Sequence, residues 1–328
     1  MSIVSASLGP QFREAMSERS FQRFRREAEL ILVVLVWGIN FVVIKIVLEV
    51  MHPHVLNVFR LFSAAAVLGY IHYRRTGRSL SAFWKPFKTD PRAFIVLTFL
   101  GWVFYQMAFI TGLDLTSAEN AAIIMSSAPI WTALLVMIIG VERLSGLAWL
   151  GLAVSIIGTG TVITIGSEEI SISSELMLGN GVMLLAAMMW GSYTAITRPL
   201  VKRHSPLALT VLALILALPF MVALAVPFWS EVNWPQVTGL YWIAIIFSGA
   251  LSTGVAIVFW NNAVRTLGAS HTAAFGNLVP LVALVSGYFI LDDRILPAQI
   301  AGGSLIILGL VIMRYARRQR TESGGTHT

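Results

Sequence analysis

Residues 119–134 read ENAAIIMSSAPIWTAL, and residues 270–285 read SHTAAFGNLVPLVALV. The two stretches carry one pattern, placed 151 residues apart. Each opens on a polar side chain, Asn120 or His271. A second follows six positions on, Ser126 or Asn277, and a proline three positions after that, Pro129 or Pro280. The rest is apolar or small. The pair therefore predicts two equivalent helices in an apolar surrounding, each bent where proline removes an N–H and frees the carbonyl four residues back, at Met125 and Gly276.

The composition names that surrounding. The chain of 328 residues is 57% hydrophobic and 12% charged, with mean hydropathy +0.79. Soluble domains carry about 25% charge, so this is a polytopic membrane protein with lipid as its solvent. A bilayer core takes about 20 apolar residues per helix. Ten such stretches run near 29–49, 54–73, 92–112, 118–139, 145–166, 176–197, 206–228, 238–260, 269–291 and 297–315. No segment alternates with period two, which excludes a barrel. Cysteine is absent, which excludes disulfides and thiolate chemistry.

The net charge of +7 invites a nucleic-acid reading, but the placement of the charge argues against one. With the N-terminus inside, every Lys and Arg except Lys45, Arg60 and Arg294 falls on an inner segment. The outer loops carry Asp114, Glu168, Glu169, Glu175 and Glu231 instead. Both termini are then cytoplasmic. Residues 1–27 lack the short apolar core and small-residue site of a cleaved signal, and Arg23–Glu29 reads as a basic lead-in to the first span.

The repeat extends beyond the opening pair. Trp37-Gly38, Lys45 and Pro53 recur as Trp190-Gly191, Arg198 and Pro206 at offset 153. Ala118, Ala122, Pro129, Arg143, Gly151 and Gly158 recur as Ala269, Ala273, Pro280, Arg294, Gly302 and Gly309 at offset 151. Five helices per half is an odd number, so the second half sits inverted. The expected fold is an all-α integral membrane protein of ten transmembrane helices in two inverted five-helix repeats. Its parts are a basic tail (1–27), the first repeat (28–166), a periplasmic linker (167–175), the second repeat (176–316) and a C-terminal tail (317–328). Secondary transporters are built this way, with a site between the halves. The plain alternative is a duplicated membrane protein that does not transport.

WGINFVVIK at 37–45, with Pro53 and Arg60 following, resembles the opening of the EamA-type members of the drug/metabolite transporter superfamily. So do TSAENAAIIMSSAPIWTAL at 116–134 and the glycine-rich fifth and tenth helices. The likeness covers about 28–316, and within the superfamily the chain is most similar to bacterial aromatic amino-acid exporters. The resemblance implies an inner-membrane protein with ten helices, a central cavity shared by the halves, and alternating access.

Polar groups inside a span are costly and face a cavity or another helix. Asn40, Asn120, Ser126, Tyr193, His271 and Asn277 are candidates on that ground, and Trp190, the repeat counterpart of Trp37, joins them. Trp102 and Gln106 are four apart on one helical face, with Tyr105 next to them. Thr253, Ile257 and Asn261 repeat that spacing, with Trp260 adjacent. An amide among rings suits an amphipathic substrate. For Trp102, Tyr105 and Trp260, packed core is the equal alternative. Lys45 has two readings, a snorkelling side chain or the wall of an outer vestibule. Arg60 reads first as half of a structural pair with a carboxylate such as Glu49 or Glu119. Pro129 and Pro280 read as gating kinks, against static kinks. Gly151, Gly158, Gly302 and Gly309 read as packing or dimer faces.

Absent motifs narrow the classes. There is no Walker A, G-x-S-x-G or H-E-x-x-H sequence, so no ATP pump, enzyme, catalytic residue, metal or cofactor is expected. No carboxylate falls at mid-membrane. Coupling would fall to His271 or Glu119, or the protein is a facilitator. The expected substrates are amino acids, aromatic and other, and related metabolites. The alternative is efflux of amphipathic or cationic drugs, by a monomer or homodimer.

Overall fold

Prolines and short polar side chains mark where the helices begin. Pro53, Pro91 and Pro206 take early first-turn positions, where a missing N–H costs nothing. The Ser79 hydroxyl accepts the Ala82 N–H at 3.3 Å, and the Ser205 hydroxyl accepts the Ala208 N–H at 3.1 Å. The computed structural model describes residues 10–115, 121, 124–164, 174–291 and 297–323. Among these residues every regular element is a helix.

In chain order the helices are α1 (Pro10–Leu48), α2 (Pro53–Arg75), the short α3 (Leu80–Thr89) and α4 (Pro91–Leu115). Then come α5 (Ala128–Ile138), α6 (Gly146–Thr164), α7 (Ser174–Arg203) and α8 (Pro206–Ala225). The last four are α9 (Gly239–Leu267), α10 (Ala269–Phe275), α11 (Val279–Leu291) and α12 (Pro297–Ser323). α1 and α12 carry the first and last apolar stretches on into residues read from the sequence as tails. The residues there, Arg, Glu and Gln among them, are ordinary helix formers.

Among the described residues, five helical stretches are long and apolar enough to cross a membrane: Phe21–Leu48, α2, α4, Pro206–Glu231 and α9. Ala128–Ile138, Gly146–Thr161 and Ile300–Ala316 are apolar but shorter. The exterior agrees with a lipid surrounding. Ile138, Leu240 and Ile243 are 79%, 73% and 66% exposed, a pattern that a soluble monomer avoids over large contiguous areas.

Glycine sets how closely the helices approach. A Cβ on Gly151 would lie 2.7 Å from the Gly309 carbonyl oxygen, and one on Gly158 would lie 2.6 Å from that of Gly302. The small faces of α6 and α12 therefore meet each other inside the chain. Gly249 of α9 likewise lets α2 in, since a Cβ there would fall 2.3 Å from the Arg60 carbonyl oxygen. The largest buried side chains, Trp102, Trp260 and Tyr193, fill the interior of the bundle.

Candidate functional site

Two helices depart from α geometry at mid-length. α4 is a π-helix over Thr98–Phe104, and α9 is a π-helix over Phe247–Val255. A π-turn bonds i to i+5 and rotates every later side chain relative to a straight α-helix. This changes the expected faces. Gln106 reaches the central cavity, whereas Trp102, four residues earlier, points into packed core with 1% exposure. The i, i+4 rule holds only on an unbroken α-helix.

The π-turn of α9 carries a second consequence. The Thr253 hydroxyl donates to the Ser248 carbonyl at 2.9 Å across the wide turn. Both hydroxyls then accept from Arg60 of α2: Nε donates to Ser248 Oγ at 2.7 Å, and Nη2 to Thr253 Oγ1 at 3.0 Å. Nη1 donates to Asn57 Oδ1 at 3.0 Å. Arg60 is 4% exposed and reaches the cavity. Of the two carboxylates expected to pair with it, Glu49 does not. Among the described residues no carboxylate lies within 4.0 Å of it. Glu49 is exposed, and Glu119 lies outside the described residues. Neutral oxygens accept from the guanidinium because the π-turn presents two of them together. The position 153 residues on is Ala213, whose carbonyl accepts the Thr98 hydroxyl at 3.2 Å.

The cavity lies among α1, α2, α4, α5, α7, α9, α10 and α11. Its volume is about 160 Å³, on a scale where one water takes roughly 15 Å³, so it admits the bulk of one mid-sized metabolite. Its walls are rings. Trp37 and Trp190 meet edge-on at 5.5 Å, Tyr105 lies 5.1 Å from Trp190, and Phe41 lies 5.9 Å from Phe109. Trp37 is held by its Nε1–H, which donates to the Ser252 carbonyl of the π-turn at 3.1 Å. Polar atoms punctuate these walls: Asn40, Gln106, Ser126, Ser252 and Thr253. Asn40 Oδ1 and Gln106 Oε1 are buried with no hydrogen-bond partner among the described residues. No Asp, Glu, Lys or His lines the cavity among the described residues, so Arg60 is its one fixed charge.

Of the residues singled out from sequence, Asn40, Tyr105, Gln106, Ser126, Trp190, Pro129 and Pro280 line the cavity, as do Thr253, Ile257, Met125 and Gly276. Others stand behind it. Trp260 backs Trp37 at 5.0 Å and Trp190 at 5.6 Å, and its Nε1–H donates to Thr194 Oγ1. Tyr193 stacks on Trp190 at 5.3 Å, and its hydroxyl accepts from Asn261 Nδ2 at 2.9 Å. Asn277 turns away and donates to Ser155 Oγ of α6 at 3.0 Å. Asn120 lies outside the described residues. His271 sits apart from the cavity, with Nε2 at 3.4 Å from Glu27, which also pairs with Arg314 at 2.9 Å.

The proline stretches are broken rather than bent. Ser126 and Ser127 form a turn before α5, and Gly276–Leu278 is a 3-10 turn between α10 and α11. The Gly276 carbonyl, expected to be free, accepts the Val279 N–H, because the tighter turn supplies an i+3 donor. Trp37, Phe41 and Phe109 also line the cavity. In the sequence Trp37 is marked only by the repeat. The phenylalanines carry no signal that separates a cavity face from a lipid face.

A second polar cluster closes one end of the bundle. Both Glu142 oxygens accept backbone N–H groups at the start of α10, from Ala269 at 2.6 Å and Ser270 at 3.2 Å. That helix start is positive. Arg198 Nε lies 3.2 Å from Glu142, and its Nη1 donates to the carbonyls of Val264 and Arg265 at the end of α9. Lys45 makes the related contact at the end of α4, donating to the Leu113 carbonyl at 3.2 Å. Neither of its expected roles is needed to account for its position.

The sequence matches the EamA-like transporter family over residues 29–164 and again over 177–315. The chain belongs to that family. It is an EamA-like membrane transporter, and each half carries a family match of its own. It is 29% identical over 219 residues to the uncharacterized transporter YyaM of Bacillus subtilis, a match covering 67% of this chain and 72% of that protein. It is 26% identical to a protein of Escherichia coli K12 named "probable amino-acid metabolite efflux pump", covering 88% and 95% of the two chains. A "probable terminal-alkyne amino-acid exporter" of Streptantibioticus cattleyicolor is 26% identical over 68% of this chain and 72% of its own length. A solved crystal structure superposes with a TM-score of 0.71 at 16% identity, covering 90% of this chain and 98% of that one. At that identity the likeness is one of fold.

Proposed function

We propose that this EamA-like protein is a secondary transporter of the bacterial inner membrane. It exports amino acids, aromatic ones foremost, and related small metabolites by alternating access through the central cavity. The observation that carries this reading is the ring-walled cavity built from both sequence halves. Trp37 and Trp190, which are 153 residues apart in the repeat, meet edge-on at 5.5 Å and together line it. Large rigid rings with a few convergent polar groups suit one amphipathic ligand. The names of the Escherichia coli and Streptantibioticus relatives support the amino-acid class.

The proposal includes ten helices in two inverted repeats, 28–166 and 176–316, with a linker at 167–175 and both termini cytoplasmic. Two matched contacts support the duplication. Lys45 bonds Leu113 and Arg198 bonds Val264, pairs related by the offsets 153 and 151 found in the sequence. Inversion places these two ends on opposite membrane faces. The Glu142–Arg198 cluster is then the closure of the cytoplasmic end. Efflux of cationic drugs is the second reading, and a cavity whose one fixed charge among the described residues is an arginine disfavours it.

Counterflow in proteoliposomes tests the proposal. Vesicles preloaded with unlabelled phenylalanine should accumulate labelled phenylalanine and tryptophan, and a lipophilic cation should not compete. Flux of the cation without flux of any amino acid would reverse the order of the two readings.

A further inference from the structure

We propose that Arg60 is the carboxylate-binding residue of the cavity, and that it restricts the substrate to molecules bearing one carboxylate beside an apolar or aromatic body. The inference deepens the amino-acid reading above and rests on it for the identity of the metabolite, though not for the class of anion.

A fully buried cation without a partner of opposite charge is costly, and in native interiors such groups are paired. Arg60 is 4% exposed, its neighbours are neutral, and no carboxylate pairs with it among the described residues. Three hydroxyl and amide oxygens fix the plane of the guanidinium, and no described carboxylate compensates its charge. The oxygens occupy one N–H on each nitrogen. Of the five N–H groups, one on each terminal nitrogen remains to donate to a carboxylate. The cavity reaches this side chain and holds no Asp or Glu among its described walls that would compete for it.

The groups around Arg60 make it rigid. Asn57, itself fully buried, accepts from Nη1 through Oδ1 while its Nδ2 donates to the Gln106 carbonyl at 3.4 Å. Ser248 and Thr253 are tied to each other across the π-turn. A preorganised guanidinium loses little entropy on taking a ligand. Elsewhere on the same wall, Asn40 Oδ1 and Gln106 Oε1 are buried acceptors with no donor among the described residues. An ammonium group supplies donors of the kind they lack. The cavity thus offers a cation for a carboxylate, two amide oxygens for an amine, and rings for a side chain.

Four probes sharing a phenethyl body separate these charges: phenylalanine, phenylalaninamide, 3-phenylpropionate and phenethylamine. Binding to the purified full chain in nanodiscs is followed by tryptophan fluorescence, together with the counterflow assay. The two carboxylates should bind at least tenfold more tightly than the amide and the amine. Arg60→Gln should abolish that preference. Arg60→Lys should keep it with about tenfold weaker affinity, because a point charge replaces the fork. An amide or amine that binds as tightly as phenylalanine overturns the assignment. So does a folded Arg60→Gln protein that still prefers carboxylates, or the failure of both carboxylates to bind. Should Arg60→Gln not fold, unchanged affinity of Arg60→Lys for phenylpropionate overturns it as well. Binding of phenylpropionate but not phenylalanine leaves Arg60 in place and removes the amino-acid reading. Counterflow of phenylalanine that the amide matches does the opposite.

Discussion

The side chains around the cavity divide into those that touch its space and those that brace them, and burial alone does not tell them apart. Phe41 lines the cavity and contacts Phe109, while Trp102 is 1% exposed and faces packed core. Phe41→Ala removes an aromatic contact worth about 0.5–1.5 kcal/mol. It should raise the half-saturation concentration for phenylalanine by a few-fold to about tenfold in counterflow, with the melting temperature nearly unchanged. Trp102→Ala should do the reverse. A buried ring lost from a core costs about 3–5 kcal/mol, so expression and melting temperature fall while the surviving protein keeps its half-saturation value. Much of this was legible in residue types: Asn40, Gln106 and Ser126 are polar groups in apolar spans, and all three reach the cavity. Arg60 is harder to read, because a sequence shows a buried charge but not the hydroxyls that accept from it. Ser248 and Thr253 lie 188 and 193 residues away, and only the π-turn brings their oxygens together.

Helices were the most legible part of the chain, and their internal breaks the least. Apolar length alone located the apolar stretches, whereas no composition marks Thr98–Phe104 or Phe247–Val255 as π-helical. The wide turn of α9 is held by tertiary contacts of Arg60 with Ser248 and Thr253. The glycines of α6 and α12 had two sequence readings, an internal face or a dimer face, and the structure uses them internally. Gly158→Val should therefore disturb the monomer fold itself. Its branches would meet the Gly302 carbonyl and the Leu305 side chain, and overpacking of this kind costs about 1–3 kcal/mol. A lower melting temperature in detergent is the expected result, with no change in oligomeric mass by light scattering.

At the scale of the whole molecule, the Glu142–Arg198 cluster joins the residues after α5, the end of α9, the start of α10 and the body of α7. Glu142→Gln removes the charge that both the helix start and Arg198 attract. With the closure weakened, a cavity position such as Ala273 should open more often to the cytoplasmic side. Because the natural chain has no cysteine, Ala273→Cys can be introduced alone. Maleimide should label it several-fold faster from that side in the Glu142→Gln background, and equal labelling rates would leave the cluster without a gating role. The fixed charge of the cavity has a further effect. Arg60 has no charged counterpart at the position 153 residues on, where Ala213 stands, so a carboxylate meets the same guanidinium from either side but by unlike paths. The two directions of flux are then kinetically unlike. In vesicles of known orientation, half-saturation concentrations measured from the two sides should differ. For an uncoupled carrier the maximal rates must differ by the same factor, since at equal concentrations net flow is zero.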